Sequence, residues 1–181
     1  MCIKHIAISP PPYIYNFMNT KFYNWTQIEG ACLDLAKQIN SSNFKPDYIA
    51  GISRGGVIPA VLLSQYLGTP MYSLNISLRD HKNTESNAWM SEDAFYGKNI
   101  LIVDDINDSG ATIKWIKEDW KASSFPNNEK WSTIWGDTVR FATLVNHVNS
   151  SETVDYSTWE LDKSIVDLWI EFPWESFWIK P

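Results

Sequence analysis

The 181-residue sequence has no long apolar run. Its longest uninterrupted aliphatic stretch is Ile100-Leu101-Ile102-Val103, far short of the roughly 18 residues that a membrane-crossing helix requires. Its opening lacks the basic-then-apolar pattern of a secretory signal. It has no excess of basic residues either: 15 Lys and Arg stand against 21 Asp and Glu, a formal net charge of −6. A general electrostatic pull towards nucleic acid or an anionic membrane is therefore missing, and neither partner is expected. The two cysteines, Cys2 and Cys32, have no metal-ligand spacing and form no disulfide framework, and His5, His81 and His147 have no zinc-like spacing. Together these absences fit a soluble cytoplasmic protein. No fixed-period repeat, low-complexity tract or long charge run interrupts the chain, and its length suits one well-filled domain over residues 1–181.

What is present is an alternation of short apolar runs and amphipathic segments. Trp25, Ile28, Cys32, Leu35 and Ile39 recur at steps of three and four, so one apolar stripe marks a helix over residues 26–39, with Thr26 and Glu29 as its capping box. The run at residues 48–52 is short and apolar and enters the tight turn Ser53-Arg54-Gly55-Gly56. Residues 57–67 read as a helix closed by Gly68 and Pro70, and residues 71–76 as a second strand. Residues 77–97 open on polar residues without a period, the mark of a loop. The run at residues 100–103, preceded by Asn99, is β-prone throughout and suits a parallel strand buried on both faces. Ile113, Ile116 and Trp120 then give helical spacing, and residues 139–145 give a fourth strand. The pattern implies an α/β fold with a mostly parallel sheet flanked by helices. Residues 153–181, with four of the ten tryptophans, read as a strand plus irregular cover, and residues 1–20 as an extended arm or edge cover.

In open parallel sheets ligands bind at the carboxyl ends of the strands. The residues that follow the 100–103 run are Asp104-Asp105-Ile106-Asn107-Asp108-Ser109-Gly110-Ala111-Thr112. A glycine turn opening a helix aims backbone N–H groups at one point, and Ser109 and Thr112 add hydroxyl donors, which together make a cradle for a phosphate monoester. Asp104 and Asp105 would repel that phosphate; their hard oxygens suit sugar hydroxyls or Mg²⁺ instead. The ligand implied is a sugar phosphate, with its phosphate in the loop and its hydroxyls on the acidic pair. An acidic pair can also be a solvated strand end, and a glycine-rich strand-to-helix turn is a common structural device. The register of Asp108, Ser109, Gly110 and Thr112 behind the pair favours the site.

The thirteen residues from Ile100 to Thr112 resemble the phosphoribosyl-diphosphate motif of the type I phosphoribosyltransferases: hydrophobic residues, two acidic residues, then Asp, Ser or Thr, Gly, any residue, Thr. Gly51-Ile52-Ser53-Arg54-Gly55-Gly56-Val57-Ile58-Pro59 resembles that family's diphosphate loop. Trp169-Ile170-Glu171-Phe172-Pro173-Trp174-Glu175 is similar to the C-terminal segment of the bacterial xanthine-guanine and hypoxanthine members. The resemblance implies a type I phosphoribosyltransferase fold with a flexible lid at about residues 77–89. It also implies a small hood at about residues 153–181, to which N-terminal residues are candidate contributors.

The activity implied is Mg²⁺-dependent transfer of the 5-phosphoribosyl group from phosphoribosyl diphosphate to a nucleobase, a 6-oxopurine by preference. By the same resemblance, Arg54 and the backbone of Ser53, Arg54 and Gly55 bind diphosphate, with a cis peptide at Ser53-Arg54. Asp104 and Asp105 hold the ribose hydroxyls, with Asp105 as the Mg²⁺ ligand. Asp108 accepts the proton of the base, and Ser109, Gly110, Ala111 and Thr112 bind the 5-phosphate. Trp169 stacks on the base, the Ile170 backbone reads its edge, and Arg79 belongs to a lid that excludes water. Members of this family form dimers or tetramers, so a homo-oligomer is implied as well. One position departs from the pattern. Where the purine enzymes end a strand in Lys-Pro, the lysine donating to the exocyclic oxygen at purine position 6, this sequence has His147-Val148. Neutral imidazole donates one hydrogen bond but lacks a permanent charge, so His147 is a base-binding candidate with altered preference. The alternatives are a phosphoribosyltransferase for a non-purine acceptor and a non-catalytic sensor of phosphoribosyl diphosphate.

Overall fold

The computed structural model describes residues 19–76, 88–165 and 168–175. Arg79, most of the expected lid and nearly all of the expected N-terminal arm lie outside the described residues. The described chain runs β1 (Asn19–Phe22), α1 (Trp25–Ser41), β2 (Tyr48–Ile52), α2 (Val57–Leu67), β3 (Met71–Leu74) and α3 (Ala88–Phe95), followed by β4 (Ile100–Asn107) and α4 (Ala111–Ser123). It ends with α5 (Trp131–Ile134), β5 (Val139–His147), β6 (Tyr156–Leu161) and β7 (Leu168–Glu171).

Five strands form one parallel sheet in the order β3-β2-β4-β5-β6. The alternation of side chains along the strands divides the core in two. Ile49, Leu101, Val103, Ala142 and Leu144 pack on the α1 and α2 side, while Tyr48, Ala50, Ile52, Ile100, Ile102 and Phe141 pack on the α3, α4 and α5 side. The apolar run at residues 100–103 is thus buried on both faces, as its composition leads one to expect. Going out from the centre, chain order runs β2 to β3 one way and β4 to β5 to β6 the other. The topological switch lies between β2 and β4, and the crevice it opens is at their carboxyl ends.

Three boundaries differ from the sequence reading. The cap of α1 is Asn24 rather than Thr26. Asn24 is extended (φ −101°, ψ 167°), its side chain accepts from Gln27 N, and the Gln27 side chain accepts from Asn24 N, each at 2.9 Å. That reciprocal pair starts the helix earlier and brings Trp25 into its first turn. The region expected as a hood from residue 153 divides: β6 extends the main sheet, while β7 pairs in parallel with β1 as a separate two-stranded layer. This small layer is fastened by stacked rings, with Tyr23 4.1 Å from Trp159 and 5.9 Å from Phe172, and Phe172 4.8 Å from Trp174. The third difference, at the end of β4, belongs to the site below. Among the described residues no helix is long and apolar enough to cross a membrane.

Cys32 lies at 0% exposure beneath the inner face of α1, and burial pushes its thiol up to about 12. An unfolded thiol ionises near 8.5, so the unfolded state loses a proton that the folded state keeps, and stability declines as pH rises from about 8.5 towards 12. In native protein at pH 8, Cys32 is expected to resist a thiol-alkylating reagent and to be labelled only after denaturation; peptide mass mapping of Cys32 with and without denaturant checks this.

Candidate active site

The loop after β2 is held by its own backbone. Ser53 N donates to Leu74 O at 2.9 Å and Gly56 N to Ile52 O at 2.8 Å, while the Ser53 hydroxyl donates to Asn75 Oδ1 at 2.7 Å. The Ser53-Arg54 peptide is cis, and the Arg54 side chain is exposed beside it. The loop also leans directly on β4. A Cβ on Gly55 would overlap the Asp105 carboxylate, and one on Gly56 would overlap Val103 O and come 2.8 Å from Asp104 Cα. Glycine stands at both positions because only a hydrogen fits between the loop and the acidic strand.

The acidic pair itself is not in a turn, where its position after the apolar run suggests it should be. β4 continues through Asp104, Asp105, Ile106 and Asn107, with Asp104 opposite Thr143, Ile106 opposite Val145 and Asn107 opposite Asn146 of β5. Backbone pairing continues past the point where the side chains turn polar, because the ladder uses only peptide groups. Asp104 and Asp105 are half-buried, and Asp105 N donates to Asp104 Oδ1 at 3.0 Å. The turn comes later, at Asp108 and Ser109, both exposed. It ends on Gly110 at φ 86°, a left-handed conformation that glycine takes without penalty, and α4 starts at Ala111. Ser109 O accepts from Ser151 N at 3.2 Å and from its hydroxyl at 2.8 Å, which packs the β5–β6 connection against this turn. Ala111 is exposed and Thr112 half-buried at the head of α4, so the first N–H groups of the helix and two hydroxyls face one small region.

Beneath the turn is a residue that sequence reasoning passed over. Asn107, buried at the end of β4, donates from Nδ2 to Asn146 Oδ1 at 2.9 Å and to Glu152 O at 2.8 Å. Its Oδ1 accepts from the Ser150 hydroxyl at 3.0 Å, and Glu152 meets Lys117 of α4 at 2.6 Å. A polar residue between acidic neighbours gives no local sign of such a role; only the tertiary partners reveal it. Asn107→Ala leaves several buried polar groups unsatisfied and is expected to lower folding stability by about 2–3 kcal/mol, measured by denaturant unfolding.

Asp108 projects at 51% exposure, and two basic side chains meet its Oδ1. Lys163, from the β6–β7 connection, donates to it directly, and His147 Nε2 at the end of β5 stands 3.6 Å away. His147 is buried at 3% exposure, whereas Lys163 is 42% exposed. An ion pair this open to solvent contributes about 1 kcal/mol or less, so it parts readily when a ligand competes. Sequence reasoning placed His147 here and missed Lys163, which belongs to no motif. Trp169 on β7 is 53% exposed, while Ile170 beside it is buried.

Among the described residues no cluster of three or more His, Cys, Asp or Glu side chains forms a metal cage. Two adjacent half-buried carboxylates do fit Mg²⁺, which keeps several waters and takes one or two protein carboxylates together with substrate oxygens.

Against known proteins, the profile of the phosphoribosyl transferase domain matches residues 18–177. The xanthine-guanine phosphoribosyltransferase of Idiomarina loihiensis is 27% identical over 159 residues, covering 85% of this chain and 86% of its own. The hypoxanthine-guanine phosphoribosyltransferase of Schizosaccharomyces pombe is 26% identical over 188 residues, covering 86% and 88%. Among solved structures, the purine phosphoribosyltransferase from Pyrococcus horikoshii superposes with a TM-score of 0.62 at 27% identity, covering 87% of this chain and 95% of that one.

Proposed function

Because the chain belongs to the phosphoribosyl transferase domain family and is a phosphoribosyltransferase, we propose that it transfers the 5-phosphoribosyl group of phosphoribosyl diphosphate to a 6-oxopurine. The observation that carries this reading is a single continuous surface. The Ser53–Gly56 loop is seated on the Asp104-Asp105 end of β4, and the Asp108–Thr112 turn leads from there into α4.

Each part has a task. The N–H groups at the head of α4, with Ser109, Gly110, Ala111 and Thr112, take the 5-phosphate without adding charge of the wrong sign. Asp104 and Asp105 accept from the ribose hydroxyls. Ser53, Gly55 and the Arg54 guanidinium receive the diphosphate. Asp105, with Asp104 beside it, would hold Mg²⁺. When bound, that ion neutralises the charge of the departing diphosphate. Trp169 offers an exposed ring for the base to stack on, and the Ile170 backbone lies next to it; Arg79 is assigned to the lid over the donor.

In the reaction the bond from C1′ to the diphosphate oxygen breaks and a bond from C1′ to N9 of the base forms. The proton on N7 passes to the Asp108 carboxylate, and diphosphate leaves with the electron pair of the broken bond. Positive charge develops on the sugar as the leaving group departs, and the neighbouring carboxylates of Asp104 and Asp105 stabilise it electrostatically. His147, behind Asp108, steadies the carboxylate that must be ionised to accept the proton. The bases tested in parallel are hypoxanthine, guanine, xanthine, adenine, orotate and uracil, with diphosphate release as the readout. Release is expected with the 6-oxopurines, and release with orotate or uracil alone would overturn the choice of acceptor. Asp108→Asn is expected to lower kcat about 10²- to 10⁴-fold with donor binding retained; unchanged turnover would remove Asp108 from the reaction.

A further inference from the structure

The β6–β7 connection is fastened to the end of β5 by bonds that have no part in the sheet. Asp162 Oδ1 accepts from Ser164 N at 2.8 Å, from the Ser164 hydroxyl at 2.6 Å and from Asn149 Nδ2 at 2.7 Å. Ile165 N donates to Asp162 O at 3.1 Å, and Val148 N to Leu161 O at 2.9 Å. The hydrogen bonds from Ser164, followed by that from Asn149, hold the Asp162 carboxyl below the usual carboxylate range. Together they close a turn whose second residue is Lys163, so the backbone of Lys163 is fixed while its four-carbon stem reaches Asp108.

Lys163 and His147 share one oxygen of Asp108 but differ in what they can do once a base arrives. His147 is walled in at the end of β5, with Asp108 on its open side. Lys163 comes from the solvent side, carries three donors, and stays charged throughout the neutral range. A carboxylate and an ammonium side by side present an acceptor next to a donor. On a 6-oxopurine the exocyclic oxygen lies next to N7, so with N7 protonated that edge presents a donor next to an acceptor, the complementary pattern. A 6-aminopurine puts a donor where the oxygen would be and meets the ammonium wrongly.

We propose that Lys163 is the specificity-determining residue for the 6-oxo group, donating to the exocyclic oxygen while Asp108 takes the N7 proton. In the free protein it rests on Asp108. On base binding it moves to the exocyclic oxygen and leaves the carboxylate to the ring N–H. This rests on the phosphoribosyl-transfer reading above and adds to it the group that reads position 6: a cation supplied from the β6–β7 turn, where the end of β5 supplies only a buried imidazole.

The test compares hypoxanthine with unsubstituted purine, which lacks the oxygen, in the wild type, Lys163→Met and Lys163→Arg. The wild type is expected to favour hypoxanthine in kcat/KM. Lys163→Met is expected to lose about 10- to 100-fold on hypoxanthine while purine stays within about twofold, and Lys163→Arg to restore most of the preference. The KM for phosphoribosyl diphosphate is expected to stay unchanged in both variants. If Lys163→Met lowers both bases equally, or shifts only the pH profile of kcat through Asp108, the residue is a charge partner and the inference fails. An unchanged ratio also overturns it. A wild type that turns over no base overturns the underlying reading instead, an outcome distinct from a working enzyme whose base preference ignores Lys163.

Discussion

Gly55 and Gly56 lie so near the Val103-Asp104-Asp105 segment that neither tolerates a side chain, and this closeness governs the rest of the site. It joins two βα units that chain order keeps apart and sets them at the one place where the sheet reverses direction, between β2 and β4. A loop resting one or two ångströms farther out would leave the acidic pair and the Arg54 turn facing separate pockets. Because the contact is made by backbone against carboxylate, the loop is positioned by sterics rather than by an attraction that a ligand would have to displace.

Such a site resolves an electrostatic difficulty. A chain with a net charge of −6 that gathers three aspartates at one strand end is poorly suited to attract a polyphosphate from a distance. On the proposed reading, capture depends on neutral donors: the N–H groups at the head of α4 and the loop backbone, with one exposed guanidinium beside them. The carboxylates are kept for the sugar, the metal ion and the proton. Asp108 alone carries close basic partners, His147 buried and Lys163 in solvent, which keeps the proton acceptor compensated until a base takes up the contact.

Much of this was legible in the sequence because the signals were local. The apolar run at 100–103, the three-and-four spacing of α1, and the order of aspartates, serine, glycine and threonine each report on neighbours along the chain. What escaped depends on distant partners. The strand extends through Asp104 and Asp105 because β5 offers matching peptide groups, a fact that polar side chains conceal. Asn24 caps α1 through Gln27 although Thr26 and Glu29 have the same spacing, and side-chain type alone does not decide between the two pairs. The pairing of β1 with β7 joins segments almost 150 residues apart, Asn75 and Asn107 act through bonds across loops, and Lys163 sits in a connection with no motif around it. For the same reason the segment from residue 153 was read as one unit, although β6 completes the main sheet and β7 leaves it.

The central claim is that the Gly55 loop and the acidic end of β4 form one binding surface for phosphoribosyl diphosphate. Calorimetric titration of that donor with Mg²⁺ into the wild type and Gly55→Ala tests it most directly, with thermal unfolding as the check on folding. The account predicts saturable binding by the wild type and a loss of at least about tenfold in affinity for a Gly55→Ala protein that unfolds at a similar temperature, since one methyl group would push the loop off Asp105. Equal affinity in the two proteins would contradict it.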